Sequence, residues 1–330
     1  MRERLVFPFW NRETRRVRAP WRLVAVFVVI GLFGLVVAAA TPLLRDPLVA
    51  AVQLLVPGPQ GSAVAGNVVF LVAQLVGTVG GVYVVGRFLD CRRFADFGLH
   101  LDRDWWADLG FGLLLGAALM TTIVLVELAA GWLTVTDTFR IARSDFSFWT
   151  WFGFALANFV VIGVVEELLA RGFLIKNAAE GLTWFEGVDA TRAVGVAVVA
   201  SGLLFAVGHA TNPNAGVAST VGIFVAAFML AAGYVLTGEL AIPIGIHVTW
   251  NFFQGTVYGL PVSGMDFGIS LLAVEQSGPA LVTGGSFGPE AGLLGVSASL
   301  VGIALVGAWV RWRGGALQIH PSITTPDRRG

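Results

Sequence analysis

The sequence predicts an all-α fold, a polytopic transmembrane bundle of about eight helices. Of its 330 residues, 56% are hydrophobic and only 13% carry a charge, which is about half the charged share of a soluble globular domain. Several apolar runs reach the ~20 residues that a helix needs to cross a bilayer. These runs are too long and too uniformly apolar for the alternating strands of a membrane β-barrel. A multi-pass protein of the cell membrane is therefore expected.

Eight apolar runs are long enough to be membrane spans. They are Leu23–Leu44, Val64–Gly86, Gly110–Val135, Trp149–Ile175, Val194–Ala210, Gly216–Thr237, Leu240–Gly259 and Ala291–Arg311. Ala38–Ala40 resembles the cleavage site of a secretory signal. However, the apolar run before it exceeds the roughly 7–15 residues of such a signal, so a retained first span is expected.

The distribution of positive charge predicts the orientation of the bundle. With the N-terminus in the cytoplasm, 18 of the 21 Lys and Arg residues fall in cytoplasmic segments. The outer segments hold only Arg45, Arg140 and Arg143, and Leu260–Glu290 contains no Lys or Arg. Because cytoplasmic segments of membrane proteins are enriched in Lys and Arg, both termini are expected in the cytoplasm.

One domain is the simplest division of the chain. We expect a cytoplasmic arginine-rich arm over residues 1–22, a transmembrane domain over 23–312 and a cytoplasmic tail over 313–330. Cys91 is the only cysteine, which excludes an internal disulfide. The expected partners are membrane lipid and a peptide or lipidated protein, and no nucleic acid is expected.

The fourth predicted span contains three neighbouring charged residues. Charges inside a bilayer are costly, and their default interpretation is functional. Glu167 and Arg171 are four residues apart and share a helical face, where they can pair. Glu166 is rotated by about 100° from Glu167, so its carboxylate is free for acid–base chemistry. The alternative is a structural ion pair that fixes this helix to a neighbour.

Two later spans contribute imidazole and amide groups. His209 lies near the end of the fifth span, and His247 and Asn251 share one face of the seventh. Taken singly, each is explained by hydrogen bonds between helices, worth only ~0.6–2 kcal/mol in membranes. Together with Glu166 they are sufficient for amide hydrolysis. A carboxylate with a His can activate water, and a His with an Asn can donate hydrogen bonds to the oxyanion. Alternatively, two His and a Glu could ligate a catalytic zinc.

Three motifs on successive apolar segments resemble those of the CAAX protease and bacteriocin-processing (CPBP) family, which includes type II CAAX prenyl endopeptidases. The motifs are Glu166-Glu167-x-x-x-Arg171, Phe205-x-x-x-His209 and His247-x-x-x-Asn251. They occupy about residues 150–255, under half of the chain. The resemblance implies an intramembrane endopeptidase acting on a membrane-associated protein or peptide, with prenylated chains among the candidates.

The resemblance also implies roles for these residues. Glu166 would activate water together with His209, while His247 and Asn251 would stabilise the oxyanion. The residues implied as supporting the site are Glu167, Arg171 and Phe205. The family is described both as metallopeptidases and as metal-free glutamate peptidases. Two mechanisms are therefore equally open. One uses a divalent metal such as zinc, bound by Glu166, His209 and His247, and the other uses no metal.

Two functions of other classes remain as alternatives. A non-catalytic immunity or scaffolding protein would keep the fold and use the polar residues structurally. A transporter with a proton-coupled Glu would be expected to have corresponding broken helices in two halves, and the sequence has no such pair. Other intramembrane peptidases fit less well: no zincin His-Glu-x-x-His motif occurs, and no Asp lies at depth in a span.

Depth in the bilayer provides a consistency check. At 1.5 Å per residue, Glu166 and His247 lie ~13 and ~10 Å from the cytoplasmic ends of their predicted helices, whereas His209 lies ~22 Å away. We expect the fifth helix to begin later than Val194, which would reduce this difference. The site is expected to open toward the cytoplasm. Glu127, in the third span, is interpreted as structural.

Overall fold

The computed structural model describes residues 9–11, 14–143 and 146–324, most of which are helical. The helices are α1 (Ala19–Gln53), α2 (Pro59–Phe88), α3 (Arg103–Ala129), α4 (Phe148–Glu167), α5 (Lys176–Leu182), α6 (Ala190–Gly208), α7 (Val217–Thr237), α8 (Ala241–Phe252), α9 (Ala280–Thr283) and α10 (Leu293–Trp312). A π-helical stretch, Leu168–Ile175, joins α4 to α5, and a second, Phe253–Val257, extends α8. Residues 1–8, 12 and 13 of the predicted arm and 325–330 of the tail lie outside the described residues.

Seven helices of the described chain are long and apolar enough to cross a membrane. They confirm the predicted all-α membrane fold. The predicted seventh span is the exception, because α8 and its π-helical extension are shorter than the other spans. This helix packs against α3, α4 and α7, and Ala241, Ile242 and Ile246 are fully buried. A helix enclosed by its neighbours meets little lipid, so its length need not match the bilayer thickness.

The predicted C-terminal end of the third span, Val135, is wrong. Helix α3 ends at Ala129, and Gly131 then adopts a left-handed conformation, with φ of 71°. The chain continues as strand β3 (Leu133–Ile141), which pairs antiparallel with β4 (Ile269–Gln276). Two shorter strands, β1 (Trp10–Asn11) and β2 (Arg16–Val17), form a separate hairpin. The apolar residues after Ala129 therefore contribute to a sheet outside the helical bundle.

The bundle has two distinct ends, which we call the basic end and the sheet end. The basic end comprises residues 16–22, 88–103, 176–192, 238–240 and 311–323. It is held together by the ion pairs of Arg92 with Asp90 and Glu180 and by the hydrogen bond from the Leu240 amide to the Gly98 carbonyl.

The sheet end comprises residues 131–143, 146–147, 209–216 and 258–292. Strands β3 and β4 lie here. The Asn212 side chain also donates to the Ser263 carbonyl at 3.0 Å, which ties two of these connections together. Most of the Lys and Arg residues of the described chain lie at or near the basic end.

Candidate active site

A pocket lies among α4, α6, α7 and α8. Its walls include the four residues predicted as catalytic and one predicted as supporting. These are Glu166, His209, His247, Asn251 and Phe205. The rest of the lining is mainly apolar, with Phe159, Ile223 and Trp250 among its members. The five predicted residues, which lie up to 85 positions apart in the sequence, therefore meet around one cavity.

Glu167 connects the two charged motifs beneath this pocket. One carboxylate oxygen, Oε1, accepts hydrogen bonds from Arg171 Nη1 and from His247 Nδ1, each at 2.8 Å. Glu167 is fully buried, and Arg171 is 1% exposed. A carboxylate can only accept here, so Nδ1 of His247 carries a proton. The i,i+4 ion pair expected from the spacing is present, and it also fixes the imidazole of His247.

Glu166 occupies a different environment from its neighbour. Its side chain is 33% exposed, and its Oε2 lies 3.8 Å from Nε2 of His247. Oε2 is itself buried and has no hydrogen-bond partner among the described residues. Buried polar atoms in native proteins are usually paired. An unpaired carboxylate oxygen lining a pocket is therefore a group available to water or to a substrate.

Phe205 holds the second histidine in place. Nδ1 of His209 lies 2.8 Å from the Phe205 carbonyl, which can only accept. In the neutral ring, Nε2 is then the basic nitrogen. The centroids of the Phe205 and His209 rings lie 4.7 Å apart. The guanidinium carbon of Arg171 lies 4.5 Å from the centroid of the Phe205 ring. The supporting role expected for Phe205 is thus explained by packing as well as by hydrogen bonding.

Both charged helices change their winding beside the pocket. The α-helix that carries Glu166 and Glu167 becomes π-helical at Leu168. The helix that carries His247 and Asn251 becomes π-helical at Phe253. π-Helical turns are rare and frequently occur at functional sites. Here the two π-helical stretches directly follow α4 and α8, which form two walls of the pocket.

Glu166, His209 and His247 are the residues proposed as metal ligands. Within the described part of the chain, no three His, Cys, Asp or Glu side chains are grouped so that they could hold a metal ion. Glu166, His209 and His247 line the same pocket without forming a ligand set in this arrangement. We therefore derive no chemical step through a metal.

The predicted difference in depth between His209 and Glu166 is not explained by a later start of the fifth helix. Helix α6 begins at Ala190, earlier than the predicted start, so the expectation of a later start is wrong. Instead, the fourth helix continues through the π-helical stretch to Leu182. At 1.5 Å per residue, Glu166 lies ~24 Å from Leu182 and His209 lies ~28 Å from Ala190. The two side chains therefore come to similar heights.

Glu290 is a pocket residue that the sequence analysis missed. It lies between α9 and α10 and is 4% exposed. Its Oε2 accepts from Gln254 Nε2 at 2.7 Å, and its Oε1 accepts from the Ser263 amide at 3.1 Å. Burial raises the pKa of Glu290 to about 7, although these donors oppose the shift. The residue was missed because it lies in a connection between spans and belongs to none of the three motifs.

Glu290 is expected to make stability depend on pH. A carboxyl whose folded-state pKa is raised contributes full stability below its ordinary value, and this contribution is lost as the pH rises to the folded-state value. The melting temperature in detergent should therefore fall from about pH 5 to about pH 8, and it should fall less in Glu290→Gln. Glu275→Gln, which changes an exposed glutamate, should retain the slope of the parent. Equal slopes in all three proteins would contradict this role.

Glu127 lies outside the pocket. It is fully buried at the end of α3, and its Oε2 accepts from Gln276 of β4 at 2.7 Å. Arg140 on strand β3 pairs with Asp266 and not with Glu127. The bond to Gln276 fastens the sheet to the helical bundle, as a structural residue would.

One wall of the pocket is formed by residues of the sheet end. Val262, Ser263, Met265 and Phe267 contribute to it together with Glu290. The sequence predicts that this connection lies on the outer side of the membrane. The cytoplasmic termini and the cytoplasmic opening of the site both stay predictions.

The comparison with protein families adds independent support. Residues 148–253 match the family described as Type II CAAX prenyl endopeptidase Rce1-like. The predicted resemblance is confirmed over this segment. The match covers about a third of the chain, runs from α4 to the end of α8, and includes every residue of the three motifs. No curated protein and no solved structure matches the chain. The family match supports a CAAX-type intramembrane endopeptidase in general.

Proposed function

We propose that this protein is an intramembrane endopeptidase that hydrolyses a peptide bond of a membrane-associated protein or peptide. One observation carries the proposal: Glu166, His209, His247 and Asn251 line one pocket, and Glu166 keeps an unpaired carboxylate oxygen there. A buried charge is costly in a membrane unless it is used or paired. Glu167 is the paired carboxylate, and Glu166 is the one available for chemistry.

The first step is activation of water. Glu166 accepts a proton from a water molecule positioned by Nε2 of His209. The resulting hydroxide attacks the carbonyl carbon of the peptide bond and forms a tetrahedral oxyanion. General base catalysis of this kind contributes roughly 10²–10⁴-fold to the rate.

The second requirement is stabilisation of the oxyanion. Nδ1 of His247 donates to the Glu167 carboxylate at 2.8 Å, and Nε2 lies 3.8 Å from Glu166. When the imidazole of His247 is protonated, both of its nitrogens carry a hydrogen, and Nε2–H is then a donor for the oxyanion. The amide of Asn251, one helical turn later, supplies a second donor. Preorganised donors in a dry site stabilise developing charge more than water does.

The reaction is completed when Glu166 returns its proton to the leaving nitrogen. The carbon–nitrogen bond breaks, and the products are a carboxylic acid and an amine. Glu167, Arg171 and Phe205 position the reacting side chains and do not touch the substrate. The apolar lining of the pocket suits a peptide with apolar residues around the scissile bond. Prenylated chains are among the candidate substrates.

The direct test is peptide cleavage by the purified protein in detergent, using a quenched fluorescent library of apolar peptides. We expect His209→Ala to reduce the rate by at least about 10²-fold, because water then loses its second partner. His320→Ala, which changes the histidine in the C-terminal segment, should retain full activity. Assays with and without a chelator decide whether a divalent metal takes part.

The same variants separate an enzyme from a non-catalytic scaffold. For a scaffold, His209→Ala would lower the melting temperature, and no peptide would be cut by either protein. For an enzyme, His209→Ala keeps the melting temperature close to that of the parent and loses cleavage. Unchanged cleavage by folded His209→Ala would contradict the proposed mechanism.

A further inference from the structure

A separate pocket, which we call the basic pocket, lies at the basic end, outside the candidate active site. Its walls come from the hairpin of β1 and β2, the beginning of α1, the end of α5 and the turn that follows α5. The charged residues that line it are Arg16, Arg18, Arg22 and Glu180. Because a cleft lined mainly by one sign of charge attracts the opposite sign, the basic pocket favours an anionic ligand.

A buried ion cluster lies against the basic pocket. Arg16 Nη1 binds Asp90 at 2.8 Å, and Arg22 pairs with both Asp90 and Glu180. Arg92 also pairs with these two carboxylates. Among the described residues, three guanidinium groups therefore meet two carboxylates in this cluster. A further anion at this place has a cationic environment to bind to.

Arg22 has a donor that the ion pairs do not use. Its side chain is 2% exposed, and its Nε has no hydrogen-bond partner among the described residues. Buried polar atoms in native proteins are usually paired, so an acceptor in the basic pocket would complete this side chain. Guanidinium groups present their donors as a fork that matches the oxygens of a phosphate. The donors of the basic pocket therefore fit a phosphate group.

The basic pocket lies where two membrane-spanning segments end. The first span begins at Ala19, and the span that runs through α4 and α5 ends at Leu182. Trp184 and Phe185 line the pocket and are 41% and 56% exposed, as is typical of aromatic side chains at the level of lipid headgroups. The guanidinium carbon of Arg18 lies 4.7 Å from the centroid of the Trp184 ring. The phosphates of membrane lipids lie at this level too.

An exposed apolar surface continues from the basic pocket along α1. Pro20 lines the pocket, and residues four, seven and eight positions later share its helical face. These residues are Val24, Phe27 and Val28, each at least half exposed. The acyl chains of a lipid can lie on this surface, whereas a water-soluble phosphate makes no use of it. The surface therefore favours a lipid as the source of the phosphate.

We propose that the basic pocket binds the phosphate headgroup of an anionic phospholipid. The phosphate accepts hydrogen bonds from Arg22 and Arg18, and the acyl chains lie along the exposed face of α1. Basic pockets between membrane-spanning helices are suited to anionic headgroups. The bound lipid connects the beginning of α1 to the end of α5. It stabilises the folded protein, because a ligand that binds only the folded state shifts the folding equilibrium toward that state.

Lipid titration of the delipidated, full-length protein in detergent tests this site. Phosphatidylglycerol, phosphatidylcholine and inorganic phosphate are added separately, and the melting temperature is measured. We expect phosphatidylglycerol alone to raise the melting temperature saturably, and added salt to reduce this shift by screening the charges. An equal shift with phosphatidylcholine would show a general effect of lipid and overturn the proposal. An equal shift with inorganic phosphate would overturn the lipid as the ligand.

Charge-removing variants locate the binding site. Arg18→Gln should raise the half-saturating concentration of phosphatidylglycerol by about 5-fold, which is the contribution of one cation near a membrane surface. Arg192→Gln removes the same charge from an exposed residue of the basic end that does not line the pocket, and it should keep the parent value. Equal values for both variants would contradict the proposal.

Trp184→Leu replaces Arg18→Gln if that variant does not fold. It removes the ring that packs on Arg18 and should also raise the half-saturating concentration, again with Arg192→Gln as the control. An unchanged value would contradict the site. None of these measurements requires peptide cleavage, so the lipid site and the proposed peptidase activity are tested independently.

Discussion

Glu166→Gln is expected to eliminate measurable peptide cleavage. The substitution retains the size and polarity of the side chain and removes only its ability to take a proton from water. Because Oε2 of Glu166 accepts no hydrogen bond from the described residues, whereas Glu167 is bound by Arg171 and His247, no neighbouring group takes over this task. We expect the rate to fall by about 10²–10⁴-fold. The measurement is the cleavage rate of the fluorescent peptide under single-turnover conditions.

Two controls make this result specific. Glu275→Gln changes an exposed glutamate at the sheet end that does not line the catalytic pocket, and it should cleave at the parent rate. The melting temperature of Glu166→Gln should equal or exceed that of the parent, because a charge that accepts no hydrogen bond at Oε2 has been removed from a partly buried position. Retained cleavage by Glu166→Gln would assign the base to another residue.

Arg171→Leu is expected to cause the largest loss of stability. Arg171 and Glu167 are both buried, and their hydrogen bond is 2.8 Å long. Removing Arg171 leaves the buried carboxylate of Glu167 with only its hydrogen bond from His247, and losing one partner of a buried ion pair costs about 3–5 kcal/mol. The packing of the guanidinium on Phe205 is also lost. Thermal unfolding in detergent measures this effect, with Arg192→Leu as the control at an exposed ion pair.

A double variant distinguishes charge from packing as the cause. In Arg171→Leu with Glu167→Gln, no buried carboxylate is left unpaired, and the amide oxygen can still accept from Nδ1 of His247. We expect most of the stability to return. Cleavage should stay low, because the negative charge of Glu167 beside the imidazole of His247 is absent. A double variant as unstable as Arg171→Leu would show that lost packing dominates.

Much of the site could be predicted because its residues break the pattern around them. In a chain this apolar, Glu166, Glu167 and Arg171 stand out on one span, and the i,i+4 spacing of helices predicts which side chains share a face. The pairing of Glu167 with Arg171 is present as expected. The partner of His247 was not predicted, because helical spacing relates residues of one helix and says nothing about contacts between helices.

Other features depend on contacts that no local pattern encodes. Strand β3 pairs with β4 more than 120 residues later, and an apolar stretch of its length is also compatible with the end of a helix. Glu290 joins the pocket only because the chain between α8 and α10 folds back over it. The identity of a connecting residue does not reveal whether that connection covers a site.

The sequence by itself determined that the chain spans a membrane, because apolar length and charge density are properties of composition. It also indicated the residues proposed to carry the chemistry, because a charge among apolar side chains is costly wherever the helix lies. Only the tertiary structure decided that His247 shares the carboxylate of Glu167 with Arg171, and that Ser263 and Glu290 join the wall of the pocket. Those outcomes depend on helices packing against one another and on connections folding over them, and therefore on distances between residues far apart in the chain.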